Sequence, residues 1–197
     1  MTDWEKIRAG IMYNDFADEL YARRVTAKKL FRAYNRTEDD EVEKRRQILN
    51  ELLESVGKNV WIEPDFRCEF GKNITIGNDV YINFGCIILD CARVTIGDNA
   101  LFGPNIGIYP LNHAIDAEER IKGGCTGTPV HIGNRVWLGG DVKILAGVTI
   151  GDDTIIGAGS VVTKSIPSGV IAAGNPCRVI RAITDADKTD YLSTLSE

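Results

Sequence analysis

Histidine is nearly missing from this chain: its 197 residues hold two, His113 and His131. That excludes a zinc centre built on three imidazoles. The five cysteines, at 68, 86, 91, 125 and 177, form an odd set without a CxxC pair, so a reduced, cytoplasmic protein is expected rather than a disulfide framework. No apolar run approaches a membrane span, and the opening MTDWEKIRAG carries acids where a signal peptide needs an apolar core. A soluble protein with no membrane partner is expected. Positive charge is in deficit as well, with a formal net charge of −5 and both signs mixed along the chain, which argues against nucleic acid or an anionic membrane as main partner. Any anionic ligand then needs a local basic site.

What the chain does have is a period of six. Ile132, Leu138, Ile144, Ile150, Ile156 and Val162 return without exception, and Val136, Val142, Val148, Thr154, Ser160 and Ile166 form a second series four residues later. Neither a helix nor strict alternation gives this spacing, whereas short strands joined by turns around a coil point one residue of each six inward. Three such faces make an eighteen-residue turn, and stacked turns bury ladders that no single turn can hide. Glycine follows the lead residue at Gly133, Gly139, Gly151 and Gly157, where a tight corner is expected to need a backbone conformation that a Cβ opposes.

The rest of the chain caps or equips this column. Residues 4 to 35 carry helical apolar spacing through Phe16, Leu20, Leu30 and Phe31, with Asn14 or Asp15 as N-cap, and a second helix is predicted from Thr37, through a loose capping box with Asp40, to about Ser55. Two such helices form a lid. From Val60, the residues Trp61, Ile62, Pro64 and Phe66 suggest the opening strand of the coil. The step from Ile76 to Ile96 is twenty residues, so two residues between Asp90 and Arg93 are expected to bulge outward. A larger break, Asn112 to Thr128, should project as a functional loop. The period stops at Pro167, Gly174-Asn175-Pro176 marks an exit turn, and a polar tail follows, with room for a short helix. The expected division is a helical subdomain at 1–57, a coil at 58–180 bearing the projecting loop 112–128, and a tail at 181–197.

His113 opens the projecting loop and suits general-base work on a hydroxyl, while His131 precedes a lead position and reads as structural or solvent-facing. Lys164, Arg178 and Arg181 are the only charged side chains between Asp153 and Asp185, a local charge of +3 that suits a phosphate-bearing ligand or a polar cap over the coil.

Ile7-Arg8-Ala9-Gly10 with Tyr13 and Asp15, Phe66-Arg67-Cys68-Glu69-Phe70-Gly71, Tyr81-Ile82-Asn83-Phe84, Leu89-Asp90-Cys91, Asn112-His113, Val136-Trp137-Leu138-Gly139-Gly140, the run Gly157 to Lys164 and Ala173-Gly174-Asn175-Pro176 together resemble the hexapeptide-repeat O-acetyltransferases of the maltose and galactoside group. The likeness covers nearly the whole chain. It implies an all-β core, a left-handed parallel β-helix, although parallel crossovers generally favour the right hand. It also implies a homotrimer with active sites between subunits, and transfer of acetyl from acetyl-CoA to a sugar hydroxyl without a metal. By position, His113 matches the family's catalytic histidine and Asn83 its transition-state-stabilising asparagine. Asp15, Glu69, Tyr81 and Asn83 fall at acceptor-side positions, and Trp137, Gly140, Ala158, Thr163, Lys164, Arg178 and Arg181 along the CoA channel. Ala114 stands where many relatives have proline, Glu69 where galactoside enzymes tend to carry serine, and Cys91 where they carry an acid; the last two lean toward the maltose branch. Neither the sugar nor the hydroxyl is read from the sequence.

The mechanism this implies is direct, with His113 deprotonating the hydroxyl and a backbone N–H near Gly140 meeting the oxyanion. The nearest alternative is an acetyltransferase for an antibiotic or serine hydroxyl. Less favoured are a non-catalytic trimeric scaffold and a cysteine acyl-enzyme, since no cysteine stands beside a histidine. A hydratase of the γ-carbonic anhydrase kind lacks its third histidine.

Overall fold

The computed structural model describes residues 1–189 and 191–194. The six-residue period folds as expected into a left-handed parallel β-helix with three sheets as faces. A threonine face stacks Ser55–Val56, Ile74–Ile76, Val94–Ile96, Val130–Ile132 and Thr149–Ile150. An arginine face stacks Arg67–Cys68, Ile87–Ile88, Gly107–Tyr109, Lys143–Leu145 and Val161–Val162. A tryptophan face stacks Trp61–Ile62, Tyr81–Ile82, Leu101–Phe102, Trp137–Leu138, Ile155–Ile156 and Val170–Ala173, and Arg178–Ala182 folds back antiparallel at its end.

In-register pairing lines up the inward side chains. On the tryptophan face, Ile62, Ile82, Phe102, Leu138 and Ile156 form one buried ladder. Cys68, Ile88, Ile108, Ile144 and Val162 form another on the arginine face. The apolar burial that stabilises the coil is therefore made between turns rather than within them.

The glycines behave differently from the expectation. Gly133, Gly139, Gly151 and Gly157 are not left-handed; instead, a Cβ on Gly139 would lie 2.6 Å from the Ala158 backbone nitrogen, and one on Gly133 would lie 2.8 Å from that of Asp152. Close stacking of the next turn, not a special φ, excludes a side chain there. Left-handed corners fall instead on other glycines, Gly85, Gly147, Gly159 and Gly169, and on Asn59, Asp79, Asn99, Asn105, Arg135, Asp141 and Asp153, where Asn and Asp tolerate that region best after glycine.

The first turns are longer than the later ones. Val56 pairs with Ile76 and Ile76 with Ile96, twenty residues apart each time, whereas Ile132 pairs with Ile150, eighteen apart. The surplus residues do not bulge into solvent. Asp90, Cys91 and Ala92 are buried, and only Arg93 is exposed, because the corner folds under the helical lid.

That lid has three helices rather than two. α1 (Asp3–Ala9) is capped by Thr2 in a capping box with Glu5 and ends on left-handed Gly10. α2 (Asp18–Tyr34) starts after Ala17 with no side-chain cap, because Asn14 accepts from the Phe16 N–H and Asp15 pairs with Arg24. α3 (Val42–Leu52) starts after Glu41. Thr37 does not cap it; its hydroxyl donates to the Tyr34 carbonyl at 2.7 Å and closes α2 instead. Ser55 already belongs to the coil, whose first strand precedes the expected Val60. Tyr34 and Arg45 both donate to the Ile62 carbonyl, at 2.6 and 2.7 Å, and Arg45 lies 4.2 Å from the Trp61 ring centroid, which pins the lid to the first turn.

The break between Ile108 and Ile132 is folded. Leu111–His113 and Gly124–Gly127 form an antiparallel hairpin carrying α4 (Ala117–Ile121), and Tyr13–Asn14 adds a third strand from the lid. No helix among the described residues is long and apolar enough to cross a membrane.

Candidate active site

His113 lies at the end of the first hairpin strand, opposite Cys125, which in turn faces Tyr13 across the sheet. Its side chain is exposed, while Ala114 beside it is buried. Arg120 of α4 donates to the carbonyls of Ala114 and Ile115 at 3.0 and 2.9 Å, and Ala114 donates its N–H to Gly124. The backbone after the histidine is thus fixed by α4 despite the missing proline.

Under the hairpin, Tyr13, Cys91, Cys125, Ile7, Leu20 and Phe70 form a small second core. Among the described residues the buried Tyr13 hydroxyl has no hydrogen-bond partner, and burial raises its pKa far above the usual phenol range. All five cysteines are free and buried, and burial raises each thiol, that of Cys86 to about 12. A thiolate nucleophile has no place to form here.

Asp15 and Glu69, far apart in sequence, meet on one guanidinium. Arg24 of α2 pairs with both carboxylates and donates to the Asp15 carbonyl at 2.8 Å, with its guanidinium 5.2 Å from the Phe70 ring centroid. Arg24 was not legible in the sequence, because a helical arginine carries no sign of its tertiary partner. The corner holding Glu69 is set by Asp90, whose carboxylate accepts from the N–H groups of Glu69, Phe70 and Asn73 at 3.0, 2.8 and 3.2 Å. Burial raises the Asp90 pKa to about 6, against the opposing pull of those donors.

Tyr81 and Asn83 lie elsewhere, on the tryptophan face and its outgoing corner. The Tyr81 hydroxyl donates to Glu63 at 3.2 Å, and Trp61 donates to the same oxygen at 3.0 Å. Asn83, Gly103, Gly139 and Gly157 stack in one column through N–H bonds of 2.8 to 3.1 Å to the next turn. In this column only Asn83 has a side chain; its Oδ1 accepts from the Phe84 N–H at 2.8 Å. The Gly140 N–H has no acceptor among the described residues. Trp137, 52% exposed, stands between Leu101 and Ile155 on the same face.

Further along the axis, Ala158, Thr163 and Lys164 are exposed at the outer corners. Arg178 donates to its neighbour's carbonyl, and Arg181 makes two bonds of 2.7 and 2.6 Å to Asp187, which holds that carboxyl well below the usual range. Of the three cations expected to serve one anion, Arg181 is already engaged. Among the described residues no three histidine, cysteine, aspartate or glutamate side chains gather as metal ligands. His131 is exposed on the threonine face. No hydrogen bond or ion pair among the described residues joins His113 to Asn83 or to the glycine column.

Comparison with known proteins supplies a context for this arrangement. The maltose acetyltransferase hexapeptide capping motif matches residues 6–57, and the bacterial transferase hexapeptide (six repeats) matches residues 129–164. The chain is 46% identical over 187 residues to the galactoside O-acetyltransferase of Escherichia coli (strain K12), covering 95% of this chain and 92% of that protein. Among solved structures it is similar to a maltose O-acetyltransferase from Clostridium difficile 630, with a TM-score of 0.91, 48% identity and coverage of 94% and 99% of the two chains. A galactoside acetyltransferase in complex with coenzyme A has the same TM-score, with 46% identity over 97% of this chain and 96% of that one.

Proposed function

Since the chain belongs to the hexapeptide-repeat O-acetyltransferase family of the maltose and galactoside enzymes, we propose that it acetylates maltose, glucose or a galactoside directly, with His113 as general base. It is an acetyl-CoA-dependent O-acetyltransferase of sugar hydroxyls, and acetyl-CoA supplies an activated thioester. The observation that carries the assignment of roles is the free imidazole on a hairpin braced against the Asp15–Arg24–Glu69 cluster.

In this reading the two carboxylates and Arg24 hold the acceptor's hydroxyl groups, and His113 takes the proton from the attacking oxygen. The Gly140 N–H, unused among the described residues, meets the charge that grows on the carbonyl oxygen, with Asn83 holding the reacting groups. The column Gly139, Gly140 and Ala158 leaves room for a pantetheine arm beside Trp137, and Thr163, Lys164, Arg178 and Arg181 receive the phosphates.

Asp15, Glu69 and His113 adjoin the arginine face, whereas Tyr81, Asn83 and Trp137 belong to the tryptophan face. A neighbouring subunit that brings its tryptophan face to this hairpin completes the site, in a cytoplasmic homotrimer. The adjacent Leu101 and Trp137, 51% and 52% exposed, suit such a seam. The helical lid then covers the acceptor end of the coil, and the strand Arg178–Ala182 lies at the coenzyme end.

The test is thiol release from acetyl-CoA with maltose, glucose and a galactoside. His113→Ala should lower kcat by about 10²- to 10⁴-fold, the usual extent of general-base help. Unchanged turnover rejects the base, and a fully active monomer in light scattering rejects the seam.

A further inference from the structure

The face of α2 that carries Arg24 continues as a line of cations. Lys28, Arg32 and Arg36 follow at four-residue intervals, the spacing that places helical side chains above one another, with Arg36 just past the last turn. All three are exposed. Opposite them Arg67, on the arginine face, shares the same cleft. The cleft holds about 640 Å³, within the range of small-ligand sites.

Charge and floor define what fits. Four cations meet one lining carboxylate, Asp65, whose contact with Arg67 is long at 3.9 Å, and no other ion pair among the described residues engages any of the four. Like charges at four-residue spacing destabilise a helix, and this chain is acidic overall, so four cations held around one concavity need a source of compensation. The floor is apolar, with Ile87 and Leu89 half-buried between the strands. The site is concave and the size of a small molecule, which disfavours a membrane or a nucleic-acid duplex.

Its position links it to the acetyl-transfer site. Cys68, in the wall of the cleft, immediately precedes Glu69, and Lys28 is one helical turn from Arg24, which binds Glu69. We propose that this cleft is an extension of the acceptor site that binds the phosphoryl group of a phosphate-bearing sugar, either a sugar phosphate or a nucleotide sugar. The proposal rests on the acceptor lying at Asp15, Arg24 and Glu69. A phosphoryl group along α2 then anchors the sugar ring with its free hydroxyl facing His113.

Two measurements test it. In protein saturated with CoA, so that the coenzyme's own phosphate site is filled, calorimetry with inorganic pyrophosphate should show one saturable site per chain. An Arg32→Glu/Arg67→Glu double variant should weaken that binding at least tenfold. In thiol-release kinetics, glucose 1-phosphate and UDP-glucose should show KM values at least tenfold below that of glucose, and the double variant should abolish this advantage while leaving glucose kcat and KM unchanged. A preference for one of the two phosphorylated acceptors identifies which source the cleft serves. Absence of saturable pyrophosphate binding, or binding indifferent to the double variant, overturns the proposal, as does a change in assembly mass in the double variant, which would assign the cleft to a second copy. Pyrophosphate binding with no acetylation of any sugar sustains the anion site and overturns the sugar-transfer reading instead.

Discussion

Asp90 offers a quantitative test of how the Glu69 corner is held. Its side chain is fully buried, yet it accepts three backbone N–H bonds, so two effects act on its proton in opposite directions. Burial prevails and raises the pKa from 3.8 to about 6. Between these values the unfolded chain has released its proton while the folded chain keeps it, so stability falls as pH rises through the window from about 4 to 6. At 1.36 kcal/mol per unit, the full loss is about 3 kcal/mol, of which about 2 kcal/mol falls between pH 4.5 and 7.5. Asp90→Asn has no such titration. Urea unfolding of both proteins across that range isolates the group, because all other titrations cancel in the difference. The stability of Asp90→Asn relative to the parent should improve by about 2 kcal/mol from pH 4.5 to pH 7.5. If it instead worsens with rising pH, the three N–H donors outweigh burial, the carboxyl is depressed rather than raised, and the reasoning fails.

Other consequences follow from the same contacts. Arg24→Gln leaves Asp15 and Glu69 without their shared, largely buried cation, and should cost about 2–3 kcal/mol in urea unfolding. It should also raise the sugar KM at least tenfold with the acetyl-CoA KM unchanged; an equal rise in both would remove Arg24 from the acceptor side. Gly139→Ala drives a Cβ into the Ala158 backbone and should cost about 3 kcal/mol. Gly159→Ala meets open space at a φ of +71° and should cost about 1–2 kcal/mol. The reverse ranking by urea midpoint would make dihedral strain, not turn stacking, the reason for the column. Asp187→Ala frees the Arg181 guanidinium and should lower the acetyl-CoA KM about threefold at low salt, an effect that added salt removes. No change would place Arg181 outside the coenzyme site.

The coil was legible because each inward position faces the same environment, turn after turn, so the sequence repeats wherever the packing repeats. Ile132 to Val162 records this directly. The lid was less legible because its helix boundaries depend on partners distant in sequence. Asn14 and Asp15 have the chemistry of N-caps, but Phe16 and Arg24 claim them; Thr37 has the same chemistry and closes the preceding helix. The twenty-residue step was visible, yet its direction was not, since only the lid makes the Asp90 corner an interior. His113 could be singled out by scarcity. Arg24 could not, one arginine among many on charged helices, and neither could the orphaned hydroxyl of Tyr13.

These failures of prediction share a location. Along the column of Gly103, Gly139 and Gly157 the next turn packs too close for a side chain, as the Cβ clash at Gly139 shows, so chemistry there is limited to backbone N–H groups and a bare channel. That is what a long, flexible coenzyme arm requires of a surface. Recognition of an acceptor needs side chains converging from several directions, and most of them gather where the period breaks: the Asp90 corner, the hairpin after Ile108 and the lid that joins them through Tyr13–Asn14. On the proposed reading, a substitution at the partly exposed Glu69 therefore alters acceptor contacts without disturbing the aliphatic ladders. In the proposed site the coenzyme half is constrained by the repeat, whereas the acceptor half is free to diverge.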